Sequence, residues 1–245
     1  MLKPSFRNKV MSIAENLSSV RKRIKIAASK SGRAAGDIQL IAVSKTWPVE
    51  AIQGAVDAGQ VAFGENKVQE ILAKAPQLSE KLQWHLIGHL QKNKIRKVLP
   101  RCACIHSIDS IELARQVDRI SGELNLNPSV LLQVNVADDP AKFGFSVTEF
   151  CEQFERLLEL EHLRIDGLMT VPAFHPDPEQ TRPHFARLRD LRDELAASFH
   201  IPLPHLSMGM SHEFEIAIEE GATDLRVGSS IFGQRIAPQI NDTGL

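Results

Sequence analysis

The stretch "LIAVSKTWPVEAIQGAVDAG", residues 40–59, contains the structural unit that recurs along this chain. It opens with a short apolar run, which is typical of a buried parallel strand, and Lys45 follows soon after that run. From residue 49 the apolar positions recur every three or four residues, which predicts a helix, and Gly59 suits its left-handed C-cap. The stretch therefore predicts a strand, a loop bearing a lysine, and a helix.

The same unit returns seven more times. The predicted strands cover residues 38–44, 61–65, 83–87, 103–107, 130–136, 165–171, 205–209 and 224–228. Helical patterns cover residues 49–59, 110–121, 147–160, 184–199 and 213–221, with Gly221 placed to end the last of these. Eight units in 245 residues predict an α/β fold, a closed (β/α)8 TIM barrel. The alternative is an open, doubly wound sheet in which two of these strands are loops.

An additional amphipathic helix is predicted ahead of the barrel, over residues 5–30. Its apolar stripe consists of Phe6, Val10, Ile13, Leu17, Val20, Ile24 and Ala27. Gly32 and Gly36 then mark a turn, so residues 1–36 form an N-terminal helix and turn. No stretch resembles an interdomain linker, and we expect a single domain over residues 1–245.

The composition narrows the function classes. Hydrophobic residues make up 43% and charged residues 24%, as in ordinary globular proteins, and the net charge of -1 argues against a surface built for nucleic acid. No run approaches the roughly 20 apolar residues of a membrane span, and no apolar leader opens the chain. Three cysteines are too few for a disulfide framework. We expect a cytoplasmic protein without a membrane partner.

In a TIM barrel the reactive groups lie at the carboxyl ends of the strands. Among the predicted strand ends, Lys45 is the only amine nucleophile. Loss of hydration at a barrel mouth lowers the pKa of a lysine to roughly 7–8, which suits Schiff-base formation. The structural alternative is that Lys45 pairs with an acid such as Glu65.

Barrels of this kind often bind phosphate in the loops after strands seven and eight. The first loop, "SMGMSHEF" (207–214), has Gly209 for close backbone approach and Ser211 as a helix N-cap. The second, "RVGSSIFG" (226–233), offers Gly228 and Ser229. A lysine that binds an aldehyde, together with loops that bind a phosphate, is what pyridoxal 5′-phosphate (PLP) requires.

At these residues the chain resembles the pyridoxal phosphate homeostasis protein family, which consists of single-domain relatives of the alanine racemase barrel. The resemblance runs from about residue 38 to 235. It is carried by the motifs "AVSKT" (42–46), "FGENKVQE" (63–70), "WHLIGHLQKNK" (84–94), "IHSID" (105–109), "NV" and "KFGF" (135–145), "GLMTV" (167–171), "LSMGMS" (206–211) and "RVGSSIFG" (226–233).

The resemblance assigns roles to particular residues. It implies that Lys45 holds PLP as a Schiff base and that Arg226 faces the pyridine nitrogen. The phosphate is expected on Ser211, Gly228 and Ser229. The residues expected to line the rest of the cofactor are Asn66, Met208 and Gly209. "GSS" stands where relatives commonly have Gly-Thr-Ala, and Glu213 where Asp is common, which affects loop geometry alone.

The resemblance also separates a carrier from an enzyme. Alanine racemases of similar fold use a lysine and a tyrosine on opposite faces of the cofactor, with help from a second, β-rich domain. This chain has no tyrosine and extends twelve residues beyond Gly233, too few for that domain. We therefore expect a PLP-binding protein of intracellular PLP homeostasis, which buffers the cofactor or delivers it to apo-enzymes. We also expect a monomer. The alternative is a racemase of weak activity.

Three further interpretations are open to the sequence. A Schiff-base aldolase without cofactor would also use Lys45, but would not need Arg226. The basic run "HLQKNKIRK" (89–97) is expected to be a solvated helix face, and no nucleic-acid partner is expected. Cys102, Cys104 and His106 alternate along one strand, but this spacing is unfavourable for metal, so no metal site is expected and the cysteines are expected to be small buried hydrophobes.

Overall fold

Eight parallel strands close into a barrel in the computed structural model, which describes residues 11–234. The strands are β1 (Gln39–Val43), β2 (Ala62–Glu65), β3 (Gln83–Leu86), β4 (Cys104–Ile108), β5 (Ser129–Gln133), β6 (Arg164–Met169), β7 (His205–Met210) and β8 (Asp224–Val227). Each strand pairs with the next, and β1 pairs with β8 over four residue pairs, from Gln39 with Asp224 to Ala42 with Val227. The predicted TIM barrel is confirmed, and the open sheet is excluded.

Helices follow the strands on the outside of the barrel. Within residues 11–234 they are α1 (Ile13–Lys30), α2 (Val49–Asp57), α3 (Val68–Lys74), α4 (Ile95–Val98), α5 (Ile111–Leu124), α6 (Val147–Leu158), α7 (Arg182–Phe199), α8 (Phe214–Glu219) and α9 (Ser229–Phe232). Short 3-10 turns cover Ala35–Asp37, Ala75–Gln77, Lys92–Lys94, Leu99–Arg101 and Pro178–Thr181. Gly59 and Gly221 have the predicted positive φ just beyond α2 and α8.

The extra N-terminal helix is present, but it begins later than predicted. Ser12 forms a capping box with Glu15, which fixes the start of α1 at Ile13. The predicted stripe positions Phe6 and Val10 lie outside the described residues. The remaining apolar stripe is buried from Leu17 onward, as expected for a helix whose apolar face packs on the barrel.

Two apolar layers form the core. Alternate residues of each strand pack outward against the helices; in β5, for example, Val130 and Leu132 belong to this large outer cluster. Leu131 lies between them in sequence and instead joins Cys104 and Met169 in a small cluster inside the barrel. Because successive side chains of a strand point to opposite faces, the uninterrupted apolar runs that predicted these strands reflect burial on both faces.

The basic run 89–97 is not one helix, which corrects our expectation. Its middle residues form the 3-10 turn Lys92–Lys94, and the four-residue helix Ile95–Val98 follows. The side chains of Lys92, Arg96 and Lys97 are exposed, as expected for a solvated face. Separately, no helix within residues 11–234 is both long and apolar enough to cross a membrane.

One glycine in β7 shapes the rim of the barrel. Gly209 has φ +93°, and the pairing of β7 with β8 shifts register between Ser207 and Met210. A Cβ atom on Gly209 would lie 2.6 Å from the Cβ of Ala217 in α8. This bulge therefore requires glycine for both backbone conformation and space.

We expect Gly209→Ala to lower the free energy of unfolding by about 2–4 kcal/mol, the sum of backbone strain and overpacking. The control is Gly36→Ala, because a Cβ atom there meets nothing within 4 Å. Urea denaturation followed by circular dichroism would measure both variants. Equal stability of the two variants would contradict this account of β7.

Candidate functional site

A cavity of about 500 Å³ opens at the carboxyl ends of the strands, and we call it the rim cavity. Its lining combines apolar walls with a few charged and polar groups. The residues are Val43, Lys45, Trp47, Asn66, Ile87, Val171, Phe174, Met210, Ser211, His212, Glu213, Arg226, Gly228, Ser229 and Gly233. Its size and mixed lining are those of a small-molecule site.

Lys45 reaches the rim cavity from a tight turn between β1 and α2. The Trp47 N–H donates to the Ser44 carbonyl at 3.0 Å, which closes the turn around Lys45. Thr46, the next residue, has φ +68°, a conformation that a β-branched side chain disfavours. The Thr46 N–H is bound by Glu70 Oε2 at 2.7 Å. A carboxylate from α3 therefore helps to hold the strained turn that presents the lysine.

A buried ionic cluster lies behind this turn. Lys74 Nζ donates to Glu65 Oε1 at 2.8 Å, to Glu70 Oε2 at 2.7 Å and to the Ser44 carbonyl at 3.0 Å. The Ser44 hydroxyl also donates to Glu65 Oε1, at 2.7 Å. The cation paired with Glu65 is therefore Lys74, a residue that the sequence analysis did not single out. It connects β1, β2 and α3 beneath Lys45.

The carboxyl group of Glu65 is fully buried, and its Oε2 atom has no hydrogen-bond partner among residues 11–234. Burial raises the pKa of Glu65 to about 7, against the lowering effect of the hydrogen bonds from Lys74 and Ser44. The charge of this cluster therefore changes near neutral pH.

The loops after β7 and β8 meet at Ser211. Its Oγ accepts hydrogen bonds from the N–H groups of Gly228 (3.1 Å) and Ser230 (3.3 Å). The predicted N-cap role of Ser211 is wrong: α8 begins at Phe214, its N-cap position is Glu213, and no side chain caps it. Ser211, which lines the rim cavity, instead bridges to the second loop, and two backbone N–H groups converge on its hydroxyl oxygen.

Arg226 lies in the floor of the rim cavity and is only 4% exposed. Its Nη1 donates to Ser207 Oγ at 2.5 Å and its Nη2 to the Thr170 carbonyl at 2.7 Å. Burial lowers the pKa of Arg226 to about 10, while the charges of Glu213 and Asp224 raise it. The guanidinium therefore keeps its proton at neutral pH and acts solely as a donor.

Six of the eight predicted site residues line the rim cavity: Lys45, Asn66, Ser211, Arg226, Gly228 and Ser229. Met208 and Gly209 do not line it, and their contact with a cofactor stays a prediction. Met208 packs in the outer layer, and a Cβ atom on Gly209 would point at α8. The bulge in β7 turns Met210 toward the cavity instead. The only feature of the sequence that indicated this bulge was a glycine inside an apolar strand.

Three buried side chains with metal-ligating atoms cluster apart from this cavity. Within the described part of the chain, His85, Cys104 and His106 bring one ligand atom each to within 4.8 Å of one another, and all three are buried. Cys102, which the sequence pattern placed beside them, precedes β4 and packs on the outer layer. Burial raises the pKa of Cys102 to about 12 and also raises that of Cys104. Cys104 is buried, as predicted, whereas Cys102 is half-buried.

An amine, a guanidinium and the Ser211 hydroxyl bonded to the Gly228 N–H therefore border one cavity. These groups are donors or nucleophiles, and they suit an anionic ligand that carries an aldehyde.

Comparisons with known proteins show which family the chain resembles. The family model described as "Alanine racemase, N-terminal domain" matches residues 15–236. The chain is 43% identical over 226 residues to the pyridoxal phosphate homeostasis protein of Aquifex aeolicus, an alignment covering 92% of this chain and 99% of the relative. The protein of that name from Escherichia coli is 41% identical over 235 residues, covering 91% and 97%.

A solved structure is also similar. PipY of Synechococcus elongatus, whose structure was solved with PLP bound, superimposes with a TM-score of 0.81 at 39% sequence identity. The match covers 91% of this chain and 100% of PipY.

Lys74 should stabilise the fold by pairing with the buried carboxylate of Glu65. We expect Lys74→Met to lower the free energy of unfolding by about 3–5 kcal/mol at pH 8, because it leaves a buried carboxylate without its cation. The loss should be clearly smaller at pH 5.5. Glu65 is largely protonated there, so the buried carboxyl group of Glu65 no longer carries an uncompensated charge.

Urea denaturation at the two pH values measures the effect. Lys81→Met is the matched control, since Lys81 is exposed, and it should change stability by less than about 0.5 kcal/mol. A loss for Lys74→Met that is the same at both pH values would show that Glu65 does not titrate with this cluster.

Proposed function

The chain belongs to the pyridoxal phosphate homeostasis protein family, and on that premise we propose that it binds PLP in the rim cavity and acts in intracellular PLP homeostasis. The observation that carries this proposal is the meeting of Lys45, Arg226 and the Ser211 loop at one cavity. These groups come from β1, β8 and β7, three strands that the closed barrel brings together.

PLP supplies an aldehyde, an aromatic ring with a basic nitrogen, and a phosphate. We propose that Lys45 Nζ binds the aldehyde carbon as a Schiff base: the amine gains the C=N bond, and the carbonyl oxygen leaves as water. The half-buried position of Lys45 beside Val43 and Trp47 reduces its hydration, which favours the neutral amine that this bond requires.

The two loops are suited to the phosphate. The N–H groups of Gly228 and Ser230 already share one acceptor, Ser211 Oγ, so three hydrogen-bonding groups converge there. A phosphate offers more acceptor oxygens than one hydroxyl, and backbone N–H groups are common phosphate ligands. We propose that Ser211, Gly228 and Ser229 hold the phosphate, and that Asn66 contacts the cofactor from the opposite wall.

Arg226 sets the chemistry that the bound ring can support. A guanidinium that stays protonated can donate a hydrogen bond to a ring nitrogen, but cannot accept one. The ring nitrogen beside it would remain unprotonated and withdraw electrons less strongly than one paired with a carboxylate. This favours binding and release of PLP over reactions that need a carbanion on the ring.

The absence of tyrosine from the sequence points in the same direction. Racemisation needs an acid and a base on opposite faces of the substrate carbon, and this chain lacks the tyrosine that its racemase relatives use. We propose that the protein buffers PLP or delivers it to apo-enzymes, that it acts as a monomer in the cytoplasm, and that any racemase activity is weak.

The covalent bond is the first test. Addition of PLP should produce a visible absorption band, and borohydride reduction followed by mass spectrometry should place a pyridoxyl group on Lys45. Lys45→Ala should lose both signals because Lys45 supplies the one lysine amine among the described residues that line the rim cavity. Lys81→Ala is the control and should retain them. A pyridoxyl group found elsewhere, or none at all, would refute the assignment.

The second test separates a carrier from a racemase. We expect little or no D-alanine from L-alanine, and transfer of bound PLP to an apo-enzyme faster than its spontaneous release into buffer. Chiral chromatography and recovery of the apo-enzyme's activity measure the two outcomes. Substantial racemisation that disappears in Lys45→Ala would overturn the carrier proposal.

A further inference from the structure

We propose that His85, His106 and Ser207 form a directional hydrogen-bond chain across the inside of the barrel that positions Arg226 in the rim cavity. The three residues do not line that cavity. The role assigned to Arg226 in binding rests on the proposed function, whereas the chain itself is a property of the protein without ligand.

The chain spans four strands. His85 Nδ1 on β3 lies 2.9 Å from His106 Nε2 on β4, and His106 Nδ1 lies 2.8 Å from Ser207 Oγ on β7. Ser207 Oγ then accepts from Arg226 Nη1 on β8. Since β4 and β7 are not neighbours in the barrel, the bond between His106 and Ser207 crosses its interior.

Arg226 determines the direction of the chain. A guanidinium only donates, so Ser207 Oγ must accept from it. The Ser207 hydroxyl still has its own proton to donate. Among residues 11–234, the other hydrogen-bond partner of this hydroxyl is His106 Nδ1. If the Ser207 hydroxyl donates to His106 Nδ1, that nitrogen carries no proton, and the proton of the neutral ring is on Nε2. That Nε2–H donates to His85 Nδ1, which places the proton of His85 on its Nε2 atom.

The opposite direction is less favourable. It would place His106 Nδ1–H toward Ser207, so that Ser207 accepts twice and its proton points away from the chain. It would also turn the positive end of each imidazole N–H dipole toward the guanidinium. In the proposed direction every donor points away from Arg226, so each bond polarises the next in the same sense.

Burial keeps both histidines neutral, as the chain requires. Desolvation lowers the pKa of His85 to about 4 and lowers that of His106 well below its usual range. The charges of neighbouring groups have opposing effects on these pKa values. Asp224 raises the pKa of both histidines, whereas His205 lowers the pKa of both. Arg226 further lowers the pKa of His106. Neither ring therefore competes with Arg226 for positive charge.

The chain ends at the opposite end of the barrel. His85 lines a smaller cavity of about 180 Å³ among the amino ends of the strands, together with Cys104, His205 and Asp224. The Nε2 atom of His85 is buried and has no hydrogen-bond partner among residues 11–234. In the proposed direction, its N–H is therefore the one donor of the hydrogen-bond chain that has no acceptor among these residues. The same bonds occupy the facing nitrogens of His85 and His106, which leaves the three-residue cluster with Cys104 poorly suited to a metal ion.

The physical effect falls on Arg226. Its Nη2 is held by the Thr170 carbonyl and its Nη1 by Ser207, and the orientation of the Ser207 hydroxyl depends on His106. Without that acceptor the hydroxyl rotates, and one of the two bonds that fix the guanidinium weakens. His106 is therefore a positioning residue, and Ser207 is the contact through which it acts.

Histidine tautomers in the protein without ligand test the chain directly. Long-range ¹⁵N–¹H NMR spectra at pH 7 should show His85 and His106 as neutral Nε2–H tautomers, with signals assigned through His85→Asn and His106→Asn. A proton on Nδ1 of His106, or a charged ring at either position, would overturn the proposed direction. This result does not depend on whether PLP binds.

Variants test the effect on Arg226. Ser207→Ala and His106→Leu remove the acceptor path, and we expect PLP affinity to fall by about five- to tenfold, the effect of one hydrogen bond, with a shifted visible absorption band. His106→Asn keeps an acceptor near the Nδ1 position and should remain within about twofold of the wild type. His200→Asn is the matched control, on an exposed residue in a left-handed conformation that asparagine also adopts.

The outcomes can be told apart. If Ser207→Ala, a small substitution that is expected to fold, binds PLP with wild-type affinity and spectrum, the positioning role is refuted. If the wild-type protein itself forms no adduct on Lys45, the proposed function fails, while the tautomer spectra still decide the chain. Thermal unfolding of each variant checks that a lost signal does not reflect loss of the fold.

Discussion

The pairing of the first strand with the last is the interaction on which the site depends. Hydrogen bonds between β1 and β8 place Ile41 beside Arg226 and Ala42 beside Val227. A Cβ atom on Gly228 would lie 3.3 Å from the Val43 carbonyl, which shows how closely the two strand ends approach. Because strand and loop continue from this register, the lysine after β1 and the glycine- and serine-rich loop after β8 share one wall. An open sheet would leave them at opposite edges.

This arrangement buries charged groups, and hydrogen bonds within the barrel compensate for the loss of their hydration. Lys74 is bonded to two carboxylates and a carbonyl beneath the Lys45 turn, and Arg226 to a hydroxyl and a carbonyl in the cavity floor. Buried charges are tolerated when they are paired and hydrogen-bonded in this way. The hydrogen bonds of Lys74 lie on the β1–β2 side of the rim cavity and hold the turn that carries Lys45. The hydrogen bonds of Arg226 lie on the β7–β8 side and hold its guanidinium in place.

Local patterns predicted most of the fold. The eight strands lie within three residues of their predicted ends, since an apolar run of four to seven residues bounded by turns is buried on both faces wherever it lies in the barrel. Gly59 and Gly221 ended their helices as expected because a left-handed residue is a local requirement. The end of β5 was the least accurate. Beyond Gln133 the backbone pairs with Phe145 in a loop, and sequence alone does not show that partner.

The sequence by itself determined the barrel and the residue types at its mouth: the period of the apolar runs, the eight repeats, Lys45, Arg226 and the glycine- and serine-rich loops. Tertiary structure alone decided which of residues 208–210 faces the cavity, which cation pairs with Glu65, and how His106 reaches Ser207. Strand and helix periods depend on neighbours a few residues away. A bulge, a buried ion pair and a bond across the barrel depend on residues from 9 to 101 positions apart, whose proximity exists only once the barrel has closed.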